Sequence, residues 1–236
     1  MSITRLALPG RPIAPGSLRV PAPAARHARV ARVAAGDAVE VVNLAGVVGI
    51  GRLSRWEAGS CWVEVERVEH GRGEPPAPLV LGLAVLHTQA FDWAVEKATE
   101  LGATTVVPLL CGRVQGGRHA ARVARWQRIA DAAVAQCGRS RSPVVAEPLA
   151  LAAFIASARG VRLVAEAGAA MPEVGRPGNE GLTVLVGPEG GFADDEAAVI
   201  HAAGFVPLPL GQRTLRAETA ALAALMLAQA LAGWLR

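Results

Sequence analysis

From Leu79 to Leu86 the chain carries only apolar side chains and one glycine. An apolar run without alternation suits a strand covered on both faces, as in a parallel sheet packed between helices. The same kind of unit then recurs. Phe91 to Leu101 is amphipathic at helical spacing and stops at Gly102, Thr104 to Leu110 reads as strand, and Arg118 to Cys137 reads as helix ending at Gly138. Val161 to Ala165 and Leu182 to Val186 read as further strands. Asp194 to Ala203 is a helix stopped by Gly204, Phe205 to Leu210 a strand, and a last helix starts near Arg216. Glycine directly after a periodic stretch is a common helix stop. Strands and helices in alternation predict an α/β domain with a mainly parallel sheet and helices on both sides.

The first 70 residues follow another rule. Val39 to Asn43, Val47 to Leu53 and Cys61 to Val68 are β-branched or alternating stretches separated by glycine-bearing turns. Cys61-Trp62-Val63-Glu64-Val65-Glu66 alternates as a half-buried strand does. A small barrel closes so few strands most simply. His70 to Pro78 then breaks all periodicity, which predicts two domains, residues 1–72 and 73–236.

Half of the chain is apolar, which excludes disorder as its general state, and no apolar run reaches the roughly 20 residues needed to cross a bilayer. The N-terminus shows no apolar leader, so a cytoplasmic protein is expected. Cys61, Cys111 and Cys137 are scattered without a CxxC spacing, and the five histidines show no ligand spacing. Neither a disulfide framework nor a metal site is expected. The net charge of +4 favours a polyanionic partner. Of 24 basic residues only Lys97 is a lysine. Biased Ala, Arg and Gly usage accounts for the ratio, while Lys97 is either incidental or a place where an ammonium is required.

In open parallel sheets ligands lie beyond the carboxyl ends of the strands. That rule points to the loops after Val186 and Leu210. Val186 runs into Gly187-Pro188-Glu189-Gly190-Gly191-Phe192, where glycines let a ligand approach the backbone. The loop has neither GxGxxG nor GxxxxGK[ST], so dinucleotide and phosphate-loop readings fail. Alone it fits an ordinary strand-to-helix turn better than a ligand loop. The second junction, Leu210-Gly211-Gln212-Arg213-Thr214-Leu215-Arg216, leads into Ala217-Glu218-Thr219-Ala220. Glu218 at a helix start favours the helix dipole. An arginine, an acid and a hydroxyl beside a glycine loop also suit a group-transfer site.

Taken together, Gly187-Pro188-Glu189-Gly190-Gly191-Phe192 with Glu196, and Leu210-Gly211 with Leu215-Arg216-Ala217-Glu218-Thr219-Ala220, resemble the signature of the SPOUT methyltransferases. Within these the chain resembles the small-subunit (16S) ribosomal RNA uridine N3-methyltransferases, the RsmE family. Glu96 to Gly102 with Pro108 and Arg113, and Ala133 with Gln136 to Arg139 and Pro143, match in order, as does the basic stretch Arg29 to Asp37. The resemblance implies a PUA-like barrel followed by a trefoil-knotted α/β domain. It also implies S-adenosylmethionine bent in the knot loops, a homodimer, and 16S RNA or the 30S subunit as partner. The cofactor residues it implies are Val186, Gly187, Pro188, Glu189, Gly190, Leu210, Gly211, Leu215, Arg216 and Thr219. Three positions depart from the family pattern. Ala193 replaces the usual helix-capping hydroxyl, His87-Thr88-Gln89-Ala90 lacks a lysine, and Val114 replaces a serine.

Methyl transfer to uracil N3 requires positioning, removal of a weakly acidic proton and stabilisation of charge on the carbonyl oxygens. Arg216 is the first candidate for the electrostatic role and Arg139 the second, with Glu218 as the acid-base group. For RNA, residues 113–141 hold seven arginines against one acid, Asp131. Arg118, Arg122 and Arg125 share a helical stripe, joined by Arg113 and Lys97 as expected phosphate contacts. A solvated helix face is the plain alternative for that stripe, and Arg26, Arg29 and Arg32 form a second basic row in the N-terminal domain. Trp62, Trp93 and Trp126 each lie in a patterned strand or helix and read as packing residues of the core or a dimer, with stacking on bases as the alternative. Two other functions compete, a SPOUT enzyme acting on a ribose 2′-hydroxyl and a non-catalytic RNA-binding or assembly factor.

Overall fold

The computed structural model describes residues 3–112 and 122–235. Arg113, Val114 and Arg118 lie outside the described residues. Two compact units divide the chain, Met1–Glu74 with Asp131–Ser142, and Pro75–Ala130 with Pro143–Arg236.

In the first unit, β1 (Thr4–Ala7), β2 (Gly16–Val20), β3 (Ala38–Val42), β4 (Val47–Glu57) and β5 (Ser60–His70) form one sheet in the order β1-β3-β4-β5-β2. Only the β1–β3 pair is parallel. The alternation of β5 is realised as expected: Cys61, Val63 and Val65 are buried while Glu64 and Glu66 face out. Ala58 and Gly59 join β4 to β5 with φ of 40° and 88°, the positive pair that a two-residue hairpin turn requires. Helix α1 (Ala22–Val30) covers the core with Ala25 and Ala28. Sequence patterning missed α1, β1 and β2. The strands are only four and five residues long, and α1 buries alanines, which give periodicity little contrast.

Buried charges hold part of this unit together. Arg5, 9% exposed, bonds Glu40 at 2.9 Å and donates to the carbonyls of Val134 and Arg139, each at 2.8 Å. Arg72 bonds the same Glu40 oxygen. Every one of these groups has partners, which a buried charge requires.

The second unit begins with β6 (Leu79–Ala84), α2 (Thr88–Glu100), β7 (Thr105–Leu110) and α3 (Val123–Cys137), whose later residues belong to the first unit. It continues through β8 (Val144–Val145), β9 (Leu149–Ala150), α4 (Leu151–Ser157), β10 (Val161–Ala165) and β11 (Leu182–Val186). It ends with α5 (Asp194–Ala202), β12 (Val206–Leu208) and α6 (Ala217–Leu231). The sheet runs β12-β10-β11-β6-β7-β8, with β9 also on β7, and every described pair is parallel. Its strands are mostly apolar because both faces are covered. Leu182, Val184 and Val186 pack with Phe91, Trp126 and the small residues Ala221 and Ala224 of α6. Leu185 points the other way, to Phe154, Ile200 and Phe205. A Cβ at Gly82 would meet the Phe154 ring at 2.4 Å, so glycine makes room for that aromatic side chain.

Among the described residues no helix is long and apolar enough to cross a membrane. Nor does any group of three or more His, Cys, Asp and Glu side chains among them suit a metal ion. Trp126 is fully buried, Trp93 is 41% exposed and Trp62 is half-buried, so neither Trp93 nor Trp62 is a core residue of this chain.

Candidate functional site

Strand β11 delivers Val186 to the edge of the core, and the chain then turns tightly. The N–H of Gly191 donates to the carbonyl of Pro188 at 2.8 Å, and Gly191 has φ 70°, a conformation that favours glycine. Phe192 folds back over the turn, so that a Cβ at position 187 would lie 3.0 Å from its ring. Residue 187 therefore has to be small.

Helix α5 starts directly afterwards without a side-chain acceptor at Ala193. Loss of such a cap costs about 1 kcal/mol. Glu196 offsets part of it by accepting the Ala193 N–H at 2.9 Å. Its other oxygen accepts the Gly112 N–H at 2.7 Å, which ties the start of α5 to the end of the β7 segment. Asp194 and Asp195 add favourable charge in the first turn. Glu196 also lies near Cys111, whose thiol is pushed up to about 12 by burial and by that negative charge, which leaves it unreactive at neutral pH.

The second junction lies beside the first because β10 separates β11 from β12. The Glu166 N–H donates to the Leu208 carbonyl at 3.1 Å, extending the β10–β12 pairing past the end of β10. Gly211 has φ 97°, and Arg216 takes the N-cap position of α6 with φ −63° and ψ 151°. Between these loops is a cavity of about 310 Å³, at the lower end of the range for small-molecule sites.

Val186, Gly187, Pro188, Glu189 and Leu215 line this cavity, as do Ala217 and Ala220 of α6. Gly190, Leu210, Gly211, Arg216, Glu218 and Thr219 are not among its lining residues, and Arg216 and Thr219 are exposed. Sequence reasoning missed Val164 to Ala167, Phe192, Ile200 and His201. The strand-end rule applies to Ala165 as much as to Val186, but only the strand order shows that the two ends are adjacent. His201 Nε2 lies 3.0 Å from Glu166 Oε2 at this cavity.

Glu218 adds the chemical clue. Its Oε2 is buried and has no hydrogen-bond partner among the described residues. An unsatisfied buried acceptor costs about 1–3 kcal/mol and calls for a ligand or an ion. The cavity itself is lined by the apolar Val164, Val186, Ile200 and Leu215 together with the acidic Glu166 and Glu189, which suits a cationic group with an apolar body. S-adenosylmethionine, with its sulfonium and ammonium charges, has that character.

The other expected residues are distributed differently. Arg139 is 3% exposed and belongs to the first unit, where its Nε and a terminal nitrogen lie 3.2 and 2.6 Å from Glu74 Oε2. The other Glu74 oxygen accepts the N–H groups of Ser140 and Arg141 at 3.0 and 2.8 Å. Lys97 bonds Glu96 and Glu100 on its own helix, both at 2.7 Å. Arg125 bonds Asp92 at 2.6 Å, and Asp92 also accepts the Trp126 indole N–H at 3.1 Å. Arg122 is half-buried just before α3, while Arg26, Arg29 and Arg32 are exposed. Arg32 has φ 56°, an unusual conformation for a side chain of its size.

The RNA methyltransferase domain family matches residues 73–229. A ribosomal RNA small subunit methyltransferase E from Mycobacterium bovis is 32% identical over 197 residues, which is 75% of this chain and 74% of that protein. The protein of the same name from Synechocystis is 34% identical over 164 residues, 65% of this chain and 54% of the relative, so the match spans about half of that longer protein. The structure of a ribosomal RNA small subunit methyltransferase E from Neisseria gonorrhoeae, bound to S-adenosyl methionine, aligns with a TM-score of 0.87. It has 28% identity and covers 98% of both chains. The chain belongs to the RNA methyltransferase domain family and, within it, to the ribosomal RNA small subunit methyltransferase E family.

Proposed function

We propose that this protein transfers a methyl group from S-adenosylmethionine to N3 of a uridine in small-subunit (16S) ribosomal RNA, as RNA or within the 30S subunit. The observation that carries the proposal is the cavity of the family-matched unit, where the glycine loop after Val186 meets Leu215, Ala217 and Ala220 at the start of α6.

The bound cofactor supplies an electrophilic methyl group on a sulfonium. The chain supplies the rest. The backbone of Val186 to Glu189, together with Leu215, Ala217 and Ala220, holds the cofactor and excludes water from one side. Glu218 takes the N3 proton, and Arg216 at the mouth of α6 stabilises negative charge on the uracil carbonyls. Arg139 is already bound to Glu74, so its part in this reading is to position the turn after α3. Gly190, Leu210, Gly211 and Thr219 shape the two loops around the cavity.

The same reading makes residues 1–72 a PUA-like RNA-binding domain and makes the loops after Val186 and Leu210 parts of a trefoil knot. It also makes the enzyme a cytoplasmic homodimer. Arg26, Arg29, Arg32, Arg113, Arg118 and Arg122 contact phosphates. Lys97 and Arg125 contribute only by exchanging their carboxylate partners for phosphate. The target uridine has to leave its stack to reach the cavity.

The decisive experiment is transfer of labelled methyl to small subunits lacking the modification, with the product nucleoside identified by mass. 3-Methyluridine is expected. A 2′-O-methyl nucleoside would replace this reading with a ribose methyltransferase. No product and no thermal shift with S-adenosylmethionine would make the chain a binding factor.

A further inference from the structure

The outward face of the sheet in the first unit carries a row of side chains that methyl transfer does not use. Arg19 of β2 pairs in register with Trp62 of β5, and Arg55 of β4 pairs with Trp62 from the other side. A register shift between Leu53 and Arg55 makes this alignment: Leu53 stays opposite Val63 in the core, and Ser54 is left unpaired. Arg55 thereby follows onto the outer face. Bulges of this kind re-aim a side chain. The guanidinium carbon of Arg55 lies 4.5 Å from the centre of the Trp62 ring. The indole N–H donates to Glu57 at 2.5 Å, which fixes the ring by its edge while Arg55 covers one face.

A second stack lies at the same hairpin. Arg29 of α1 sits 5.0 Å from the centre of the Trp56 ring, and the Trp56 N–H donates to the Val33 carbonyl at 3.2 Å. Two tryptophans flanking the Ala58-Gly59 turn therefore each carry an arginine. Trp56 packs against the core of the unit, but Trp62 lies on the solvent side of β5, where alternation calls only for a polar residue.

Aromatic rings and guanidinium planes are the surfaces on which unpaired bases stack, with arginine donors reaching the neighbouring phosphates. Glu64 and Glu66, the latter 3.4 Å from Arg52, prevent this face from being a general polyanion surface. Recognition there depends on stacking. We propose that the Arg19–Trp62–Arg55 row is a binding site for an unpaired stretch of RNA, with a base stacked on Trp62 and Arg55. Arg19 then takes the adjoining phosphate. The proposal rests on the reading of RNA as the substrate and adds a positioning site separate from the cofactor cavity.

Fluorescence anisotropy of the full chain with a labelled unstructured RNA oligonucleotide, the same sequence as a duplex and an abasic version tests this. Trp62→Leu is expected to weaken binding of the unpaired oligonucleotide by roughly tenfold or more. Arg55→Gln, an exposed change that spares the indole, is expected to weaken it in the same direction. Binding of the abasic strand should be unchanged by either, and the thermal shift with S-adenosylmethionine should be retained. Trp62→Leu and Arg55→Gln binding as tightly as wild type, or wild type binding the abasic strand as tightly as the intact one, would overturn the proposal. Loss of methyl transfer in wild type with the Trp62 effect intact would instead overturn the enzymatic reading and leave the stacking site standing.

Discussion

The ring of Phe192 lies against the backbone of Gly187, and a Cβ on residue 187 would stand 3.0 Å from it. Both residues line the cavity, so ring and glycine together set its width. Gly187→Ala forces the ring to shift into space meant for a ligand. The expected result is binding of S-adenosylmethionine weaker by about tenfold, equivalent to about 1.4 kcal/mol. Calorimetry of the folded variant measures it, and unchanged affinity would show that Phe192 moves away from the cavity.

Glu218→Gln keeps the shape of the side chain but removes the charge from an oxygen that has no partner among the described residues. The unliganded protein should be as stable as wild type or slightly more so. Methyl transfer should fall by about 10²–10⁴-fold if Glu218 is the proton acceptor. Single-turnover assays at saturating cofactor separate this loss from weaker binding, and a retained rate would move the proton acceptor elsewhere.

Glu40 makes stability depend on pH. Burial alone would raise its pKa, but hydrogen bonds and charge from Arg72 and Arg5 outweigh it and hold the carboxyl below its ordinary value of 4.5. Burial pulls Arg5 downward, yet a guanidinium starts so high that it stays charged. A depressed carboxylate contributes stability that is fully present above its unfolded value and is lost as pH falls through the folded one. Wild type should therefore lose melting temperature below about pH 4.5. Glu40→Gln should cost about 3–5 kcal/mol at neutral pH and flatten the acid limb. Thermal melts across this range give the first quantity, and urea unfolding across the same range gives the second.

Arg139 and Glu74 make a buried ion pair, with side chains 3% and 13% exposed. Arg139→Ala leaves Glu74 with its backbone partners at Ser140 and Arg141 but without its countercharge. The expected cost is about 3 kcal/mol or more, read from denaturant midpoints. The stabilisation conferred by S-adenosylmethionine on the folded variant should match wild type. A selective loss of cofactor binding would assign Arg139 to the cofactor site.

Much of the second unit was legible because its strands are buried on both faces. Leu79, Leu81 and Leu83 on one side and Ala84 with its neighbours on the other leave no polar alternation to confuse the reading. Helix stops at Gly102, Gly138 and Gly204 follow from the positive φ each adopts. The short β8 and β9, and α4, were missed, since two-residue strands carry no period. The loops after Val186 and Leu210 were found by rule and resemblance, and the structure places Val186, Gly187, Pro188, Glu189 and Leu215 at one cavity. Glu166 and His201 were invisible because their adjacency to those loops depends on β10 lying between β11 and β12.

Charge was the least legible property. Lys97, Arg125 and Arg139 read as free cations along the chain, and each has a carboxylate within 2.7 Å in the fold. Trp62 read as a packing residue of the core or a dimer, with base stacking as the alternative, and the register shift at Ser54 sets it beside Arg55 on the outer face rather than in the core. By itself the sequence determined the two kinds of unit, the parallel sheet and the two loops at its strand ends, because hydrophobic period and glycine placement are local quantities. Only the tertiary structure decided which charges are already neutralised, which strand ends meet at the cavity and which carboxylate oxygen lacks a partner among the described residues. Those depend on contacts between residues distant in the chain, which no local pattern encodes.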